Sequence, residues 1–308
     1  MSLKTLLLPY ISRWLFSRQR LLNKRTQAER QRKAKNAPHR VHYFHQVDDP
    51  YSALTVAALP ALLARYDIEL QVHIVDAPPD SAAPERDKLI AYSRVDAERI
   101  ATRYGLTFKD PGQQPAPEAV ATASACLVAN HEAETFAALA SRLTQNLWKT
   151  GTDLFTGIKA PVASASAVNA HKASANALRS QLGHYLGATF FYAGEWYWGI
   201  DRLYHLEQRL QDVQAQRPGV EGVLFPPVAD LSTPVKCINP PPIDFFFSFR
   251  SPYSAIVAER VFRLAELTGA QVNLRYVLPM VMRGLPVPAA KRQYISHDTA
   301  REAFVRHI

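Results

Sequence analysis

The order of apolar and polar positions predicts the same arrangement, strand then helix then strand, at two places in the chain. Runs rich in aromatic and β-branched residues at 41–47 and 243–249 predict strands. A helical pattern that opens with proline follows each of them, and further strands are predicted at 69–75 and 271–277. Two strands joined by one helix within about 35 residues predict parallel neighbours with a right-handed crossover.

The region between these two segments changes character along its length. Residues 110–180 are rich in alanine, with leucines at helical spacing, and predict an all-helical insertion. Residues 184–192 and 195–198 predict two strands joined by a tight turn, and 201–213 predict a closing helix. Residues 215–242 hold seven prolines and little periodicity, which is typical of a linker.

The chain repeats itself at an offset of 202 residues. Residues 41–101 align with 243–303 without a gap and with twelve identities, which include Phe44/Phe246, Pro50-Tyr51-Ser52-Ala53/Pro252-Tyr253-Ser254-Ala255, Tyr92/Tyr294 and Asp96/Asp298. We infer a duplicated domain, complete at 41–214 and represented by its first half at 243–308. Half a sheet exposes an unpaired strand edge, so we expect this chain to be a fragment of a longer polypeptide or to be completed by a partner.

Charge is concentrated at the N-terminus. The formal net charge of the 308 residues is +9, but residues 1–40 hold eleven Lys/Arg and one acid, Glu29, whereas the rest holds 25 Lys/Arg and 26 Asp/Glu. The folded part is therefore close to neutral, and no binding to nucleic acid is expected of it. Only the arm at 1–40 is basic.

The arm carries an apolar series at three- and four-residue steps: Leu3, Leu7, Ile11, Trp14 and Leu15. A basic segment from Arg18 to Lys35 follows it. This order is typical of an interfacial helix beside a polybasic stretch, which anionic lipid headgroups attract. A solvated helix, or one packed on a protein partner, is the alternative for residues 1–35.

Cysteine and histidine give little evidence of redox or metal chemistry. Cys126 and Cys237 form no Cys-x-x-Cys motif, which favours a reducing compartment, and Cys126 lies in an apolar helical pattern that predicts a core position. His39, His42 and His45 are spaced by three, but the last two lie on a predicted strand and so point to opposite faces. No metal site is expected.

Three motifs resemble one branch of the thioredoxin fold. The segment 244–254, Asp-Phe-Phe-Phe-Ser-Phe-Arg-Ser-Pro-Tyr-Ser, resembles the opening of the DsbA-like family that contains kappa-class glutathione transferases and 2-hydroxychromene-2-carboxylate isomerases. Residues 291–301 resemble the family's Lys-x-x-Tyr-x-x-x-Asp stretch, and 190–203 resemble its closing hairpin and Gly-x-Asp-Arg-Leu helix start. The resemblance implies an α/β, thioredoxin-like fold with an inserted all-helical domain, followed by a second, incomplete copy.

The resemblance also implies a glutathione site in the second copy. Ser251 matches the position at the start of the first helix where the family's serine binds the sulfur of glutathione and where disulfide oxidoreductases place cysteine. Lys291 would pair with a glutathione carboxylate, and Tyr253 and Asp201 are assigned to glutathione binding with it. The structural alternatives are helix N-caps for Ser251 and Asp201 and a solvated helix residue for Lys291.

The site of the first copy is expected to be degenerate. Asp49 occupies the position of Ser251, and its carboxylate would repel a thiolate bound at the same helix end. Ala188 stands where the thioredoxin fold normally has a cis-proline facing the active site. The first copy is therefore not expected to be catalytic.

Two functions follow from the resemblance. One is a glutathione-dependent isomerase or transferase that acts on a hydrophobic or aromatic electrophile, with glutathione as cosubstrate and no metal. The other is a catalytically degenerate thioredoxin-like scaffold or interaction module. Membership of the thiol-disulfide oxidoreductases is a further alternative, although neither helix start has a cysteine. The expected location is the cytoplasm, with attachment to the inner face of a membrane as an alternative. A homo-oligomer is a further expectation.

Overall fold

The computed structural model describes residues 3–227, 231–235 and 237–306. The side chains of 3–6, 8 and 9 lie outside this description, and so does that of Leu3 in the predicted apolar series. Two compact units are present: the first unit is Gln27–Pro227, and the second unit combines Met1–Thr26 with Val228–Ile308.

Six α-helices, four strands and one 3-10 turn are described in the first unit after two N-terminal helices, α1 (Leu3–Leu15) and α2 (Arg18–Ala34). In chain order they are β1 (Arg40–Gln46), α3 (Pro50–Arg65), β2 (Glu69–Val75), α4 (Arg86–Tyr104), α5 (Pro117–Ala129), α6 (Ala133–Trp148), α7 (Ala165–Gln181), β3 (Thr189–Tyr192), β4 (Glu195–Trp198), a 3-10 turn (Ile200–Arg202) and α8 (Leu203–Asp212). The strands predicted at 41–47, 69–75 and 195–198 are confirmed, whereas the one predicted at 184–192 begins only at Thr189; three helices, α5, α6 and α7, lie within 110–181.

The four strands form one mixed sheet in the order β2-β1-β3-β4. Strands β1 and β2 are parallel, from Arg40 opposite Glu69 to Gln46 opposite Val75, as the strand-helix-strand pattern predicts. Strand β3 runs antiparallel to β1, with Val41 opposite Tyr192, and β4 runs antiparallel to β3. This strand order, with helices on the sheet, is consistent with a thioredoxin-like fold.

Strand alternation divides the core of the first unit between the two faces of the sheet. On one face, Tyr43 and Ile74 belong to the large cluster that also includes α3, α6 and α8, and Cys126 is buried there as predicted. On the other face, Phe44 and Val75 pack with Ala175 of α7. Both faces of the sheet are therefore covered.

Arg209 of α8 fastens the β3–β4 hairpin to the last helix. Its guanidinium is almost fully buried, donates to the carbonyls of Tyr192 at 2.8 Å and Ala193 at 3.2 Å, and pairs with Glu195 at 2.8 Å. It also lies over the ring of Tyr192, 4.7 Å from the centroid. The guanidinium of Arg209 thus provides hydrogen-bond donors for two carbonyls at the turn of the β3–β4 hairpin.

We expect Arg209→Leu to destabilise the first unit by about 3–5 kcal/mol, because the substitution removes the buried donor to two carbonyls and the ion pair with partly buried Glu195. Urea denaturation followed by tryptophan fluorescence measures this, since three of the four tryptophans lie in the first unit. Arg99→Leu, at an exposed position of α4, is the control. Equal midpoints for the two variants would contradict the prediction.

The second unit has a smaller sheet. It contains β5 (Ile243–Phe247), α9 (Pro252–Thr268), β6 (Val272–Tyr276), a 3-10 turn (Met280–Arg283) and α10 (Ala289–Arg306). Strands β5 and β6 are parallel, with Ile243 opposite Val272, which is the register of Val41 opposite Leu70 moved by 202 residues.

Side chains of this smaller sheet are open to solvent where their counterparts at offset 202 are buried. Phe246 is 65% exposed, whereas Phe44 is 0% exposed. Leu274 and Tyr276 are exposed in the same way. Among the described residues, β5 pairs with β6 alone.

None of the described helices is both long and apolar enough to cross a membrane.

Candidate functional site

Ser251 lies at the start of α9 and caps it. Its backbone is extended (φ −97°, ψ 113°), and its hydroxyl oxygen accepts from the backbone N–H of Ser254 at 3.3 Å. Pro252 fits the first helical position, where its missing N–H removes no helical hydrogen bond. The capping interpretation of Ser251 is confirmed. The capping bond uses an oxygen lone pair, so the hydroxyl proton can be donated to a ligand.

Asp49 has the same place at the start of α3. Its backbone is also extended (φ −101°, ψ 122°), and its carboxylate accepts from the backbone N–H and the hydroxyl of Ser52, both at 2.9 Å. The N–H of Tyr51 contributes a longer bond at 3.4 Å. The helix end of the first unit is thus occupied by an acid of this chain.

Burial of Asp49 raises the pKa of its carboxyl to about 6, against an ordinary value of 3.8, although the bonds from Ser52 act in the opposite direction. Two buried side chains of β1 belong to the same region of the first unit. Tyr43 and His45 are both buried, and the Tyr43 hydroxyl lies 3.0 Å from Nδ1 of His45. Burial lowers the pKa of His45 to about 3, so this imidazole stays neutral.

The Asp49 carboxyl should make the stability of the first unit depend on pH. Its pKa is higher in the folded than in the unfolded state, so its stabilising contribution is complete below about pH 4 and is lost as the pH rises through 6. Asp49→Ser keeps a capping oxygen and cannot titrate. The unfolding free energy of this variant, relative to the parent, should rise by up to about 3 kcal/mol from acid to neutral pH.

Urea denaturation at several pH values measures this difference. Asp49→Asn, also a good N-cap without a titrating proton, should behave as Asp49→Ser does. A constant difference between parent and both variants across the range would show that Asp49 titrates near its ordinary pKa.

A tyrosine on the second residue of each capped helix reaches the helix that follows the second strand. The Tyr51 hydroxyl donates to Asp96 of α4 at 2.8 Å, and the Tyr253 hydroxyl donates to Asp298 of α10 at 2.8 Å. In the second unit, Arg301 completes the network with an ion pair to Asp298 at 2.9 Å. Tyr253 is therefore held at the site by a buried acid.

Lys291 lies in the first turns of α10 and is half-buried, so it is not the fully solvated lysine of the alternative interpretation. Burial lowers the pKa of its ammonium group. Ser251, Tyr253 and Lys291 all belong to the second unit.

Asp201 and Ala188 belong to the first unit. The prediction that Asp201 is an N-cap is wrong: it lies within the 3-10 turn that precedes α8, whose N-cap residue is Arg202, and it pairs with Arg202 at 2.8 Å. Ala188 is buried with a positive φ of 52°, and its carbonyl accepts from Gly199 at 2.8 Å. Asp201 is thus in the unit of Asp49, not in that of Ser251.

An aromatic and aliphatic rim at the carboxyl ends of β5 and β6 was not predicted. It consists of exposed Phe249, Tyr276, Leu278, Val281 and Met282. The rings of Phe249 and Tyr276 lie 5.9 Å apart between centroids. A helix start and the carboxyl ends of parallel strands meet at one sheet edge, where α/β proteins bind ligands. Hydrophobicity alone could not separate these residues from core positions.

A cavity of about 590 Å³ in the first unit contains no predicted site residue. It lies between α5 and α7, with Asp76 and Lys172 paired across it at 3.1 Å. In the part of the chain that the structure describes, no group of His, Cys, Asp or Glu is arranged to hold a metal ion.

The strand order and the site geometry are those of a mixed α/β protein, and its four-stranded sheet is consistent with a thioredoxin-like fold. Among solved structures, the chain is similar to a 2-hydroxychromene-2-carboxylate isomerase, with 17% identity and a TM-score of 0.43 over 56% of this chain and 95% of that one. No protein-family model matches the sequence, and no curated protein matches it significantly.

Proposed function

We propose that the chain is a glutathione-dependent isomerase or transferase of the DsbA-like family, with its site at Ser251. The observation that carries the proposal is the hydroxyl of Ser251 at the start of α9, in a sequence motif that resembles the family's opening segment. A helix N-terminus stabilises a nearby anion through its N–H groups and dipole. A neutral hydroxyl there can donate to a thiolate, whereas a carboxylate would repel it.

We also propose that the two units arose by duplication. The cap-to-helix bond from Ala53 to Asp49 recurs from Ala255 to Ser251, and the bond from Gln46 to Ser52 recurs from Ser248 to Ser254. The tyrosine bonds to Asp96 and Asp298 recur likewise. The shared strand register and the twelve identities support the same origin.

The residues at the start of α9 fit glutathione. When bound, glutathione would supply the nucleophilic sulfur that the chain lacks at this position. Ser251 would hold that sulfur as the thiolate, and the ammonium of Lys291 would hold a carboxylate of the peptide.

The class of second substrate follows from the rim at the ends of β5 and β6. Phe249 and Tyr276 offer exposed aromatic faces, and Met282 adds an adaptable apolar side chain. These surfaces suit a hydrophobic or aromatic electrophile.

Both cysteines are free, with Cys126 buried and Cys237 exposed, which supports a reducing compartment such as the cytoplasm.

Ser251→Ala should weaken glutathione binding about tenfold or more, because a hydrogen bond to a charged partner contributes about 1.5–3 kcal/mol. Isothermal titration calorimetry measures the Kd. Ser251→Thr, which keeps the hydroxyl, is the control and should bind nearly as the parent does. Thermal unfolding of all three proteins separates lost binding from the modest cost of a lost cap.

Lys291→Met should also weaken glutathione binding about tenfold, since it keeps the length of the side chain and removes its charge. Arg292→Met, at an exposed neighbouring position, is the matched control and should leave the Kd unchanged. An unaltered Kd in Lys291→Met would remove this residue from the site. No heat of binding in the parent would instead favour the degenerate scaffold.

A further inference from the structure

The N-terminal helix α1 presents an apolar stripe to solvent. Leu7, Tyr10, Ile11, Trp14 and Leu15 are all exposed, by 38–74%. At 3.6 residues per turn these five positions fall within an arc of about 140° on the helix surface. Clustering of five large apolar side chains on one exposed face is unusual, because single exposed residues are ordinary but contiguous patches mark interaction surfaces.

The C-terminal end of α1 is anchored within its own unit. Phe16, in the turn directly after α1, is half-buried and packs edge to face on His297 of α10 with centroids 5.1 Å apart. Trp14 is itself fixed in orientation, because the guanidinium of Arg20 lies 3.8 Å from its ring centroid. The end of α1 that carries Trp14 and Leu15 is thus held by contacts within the second unit, while the stripe itself is exposed.

Positive charge surrounds the stripe. Arg13, Arg18 and Lys24 are exposed in the same two helices. The single acid among residues 1–40, Glu29, is already paired with Arg32 at 2.7 Å and Lys33 at 3.7 Å. An anionic partner would therefore meet cations with no local acid to oppose it.

We infer that α1 and the first turns of α2 form a docking surface for an anionic lipid bilayer, with the apolar stripe in the headgroup region and the cations among the lipid phosphates. Tryptophan and tyrosine prefer this interface because each has an apolar ring and a polar tip. Leu and Ile supply apolar area, and the flanking bases supply attraction to anionic headgroups. A soluble acidic protein would satisfy the cations but leave the stripe exposed unless it were also apolar.

Vesicle co-sedimentation of the full chain tests this inference. Binding to phosphatidylcholine vesicles that contain phosphatidylglycerol should be strong, and binding to phosphatidylcholine alone should be weak. The triple variant Arg13→Gln, Arg18→Gln, Lys24→Gln should lower the partition coefficient about a hundredfold, and added salt should act in the same direction. Ile11→Ser with Trp14→Ser should abolish sedimentation with both vesicles.

Matched variants in the first unit serve as controls. Arg103→Gln with Lys109→Gln and Lys149→Gln removes three exposed cations elsewhere, and Tyr92→Ser removes an exposed aromatic residue of α4. Both should bind vesicles as the parent does. No difference between the two vesicle types, or equal losses in the control variants, would overturn the inference. Failure of vesicle binding together with dimerisation that Ile11→Ser and Trp14→Ser abolish would assign the stripe to a second copy of the chain.

Discussion

The N–H groups in the first turn of a helix have no partners within that helix, and both units meet this constraint with one side chain in the loop that follows the preceding strand. Asp49 does so for α3 and Ser251 for α9. In the same first turns, Ser52 accepts from the backbone N–H of Gln46 and Ser254 from that of Ser248, and the neighbouring tyrosines bond to the following helix.

The two caps satisfy the same groups but create opposite electrostatic environments. An ionised Asp49 would place a negative charge at a helix end that already attracts anions, so this end is satisfied from within the chain and has little attraction left for a ligand. Burial works against that charge, which is why the pKa of the carboxyl is raised. Ser251 caps with a neutral group, so the dipole of α9 remains available to an external anion. The charge of the capping group therefore distinguishes a helix end that is already occupied from one that can accept an anion.

Much of the local structure could be predicted because it depends on nearby residues. Strands at 41–47 and 243–249 follow from their aromatic and β-branched composition, and Pro50 and Pro252 mark helix starts. The cap assigned to Asp201 failed because Asp201 lies within a 3-10 turn, which leaves little trace in sequence, and α8 begins only after Arg202. Burial of the Asp298–Arg301 pair could not be predicted either, since it depends on how α10 packs. The tyrosine–aspartate bonds were present in the self-alignment as identities, but an identity does not reveal which pairs touch.

The two sheets also differ in what their equivalent faces can tolerate. In the first unit, half-buried His42 and His73 lie on the face covered by α7, with Nδ1 of His42 3.0 Å from Nε2 of His73. Burial lowers the pKa of His73 to about 4, so this imidazole can remain there uncharged. At offset 202 the same cross-strand positions hold Asp244 and Arg275, an exposed ion pair at 3.1 Å. A charged pair loses its hydration when it is covered by an apolar helix, and its mutual attraction often does not compensate for that loss. The Asp244–Arg275 pair is therefore matched to water or a polar surface, whereas Leu274 and Tyr276 on the other face favour apolar contact.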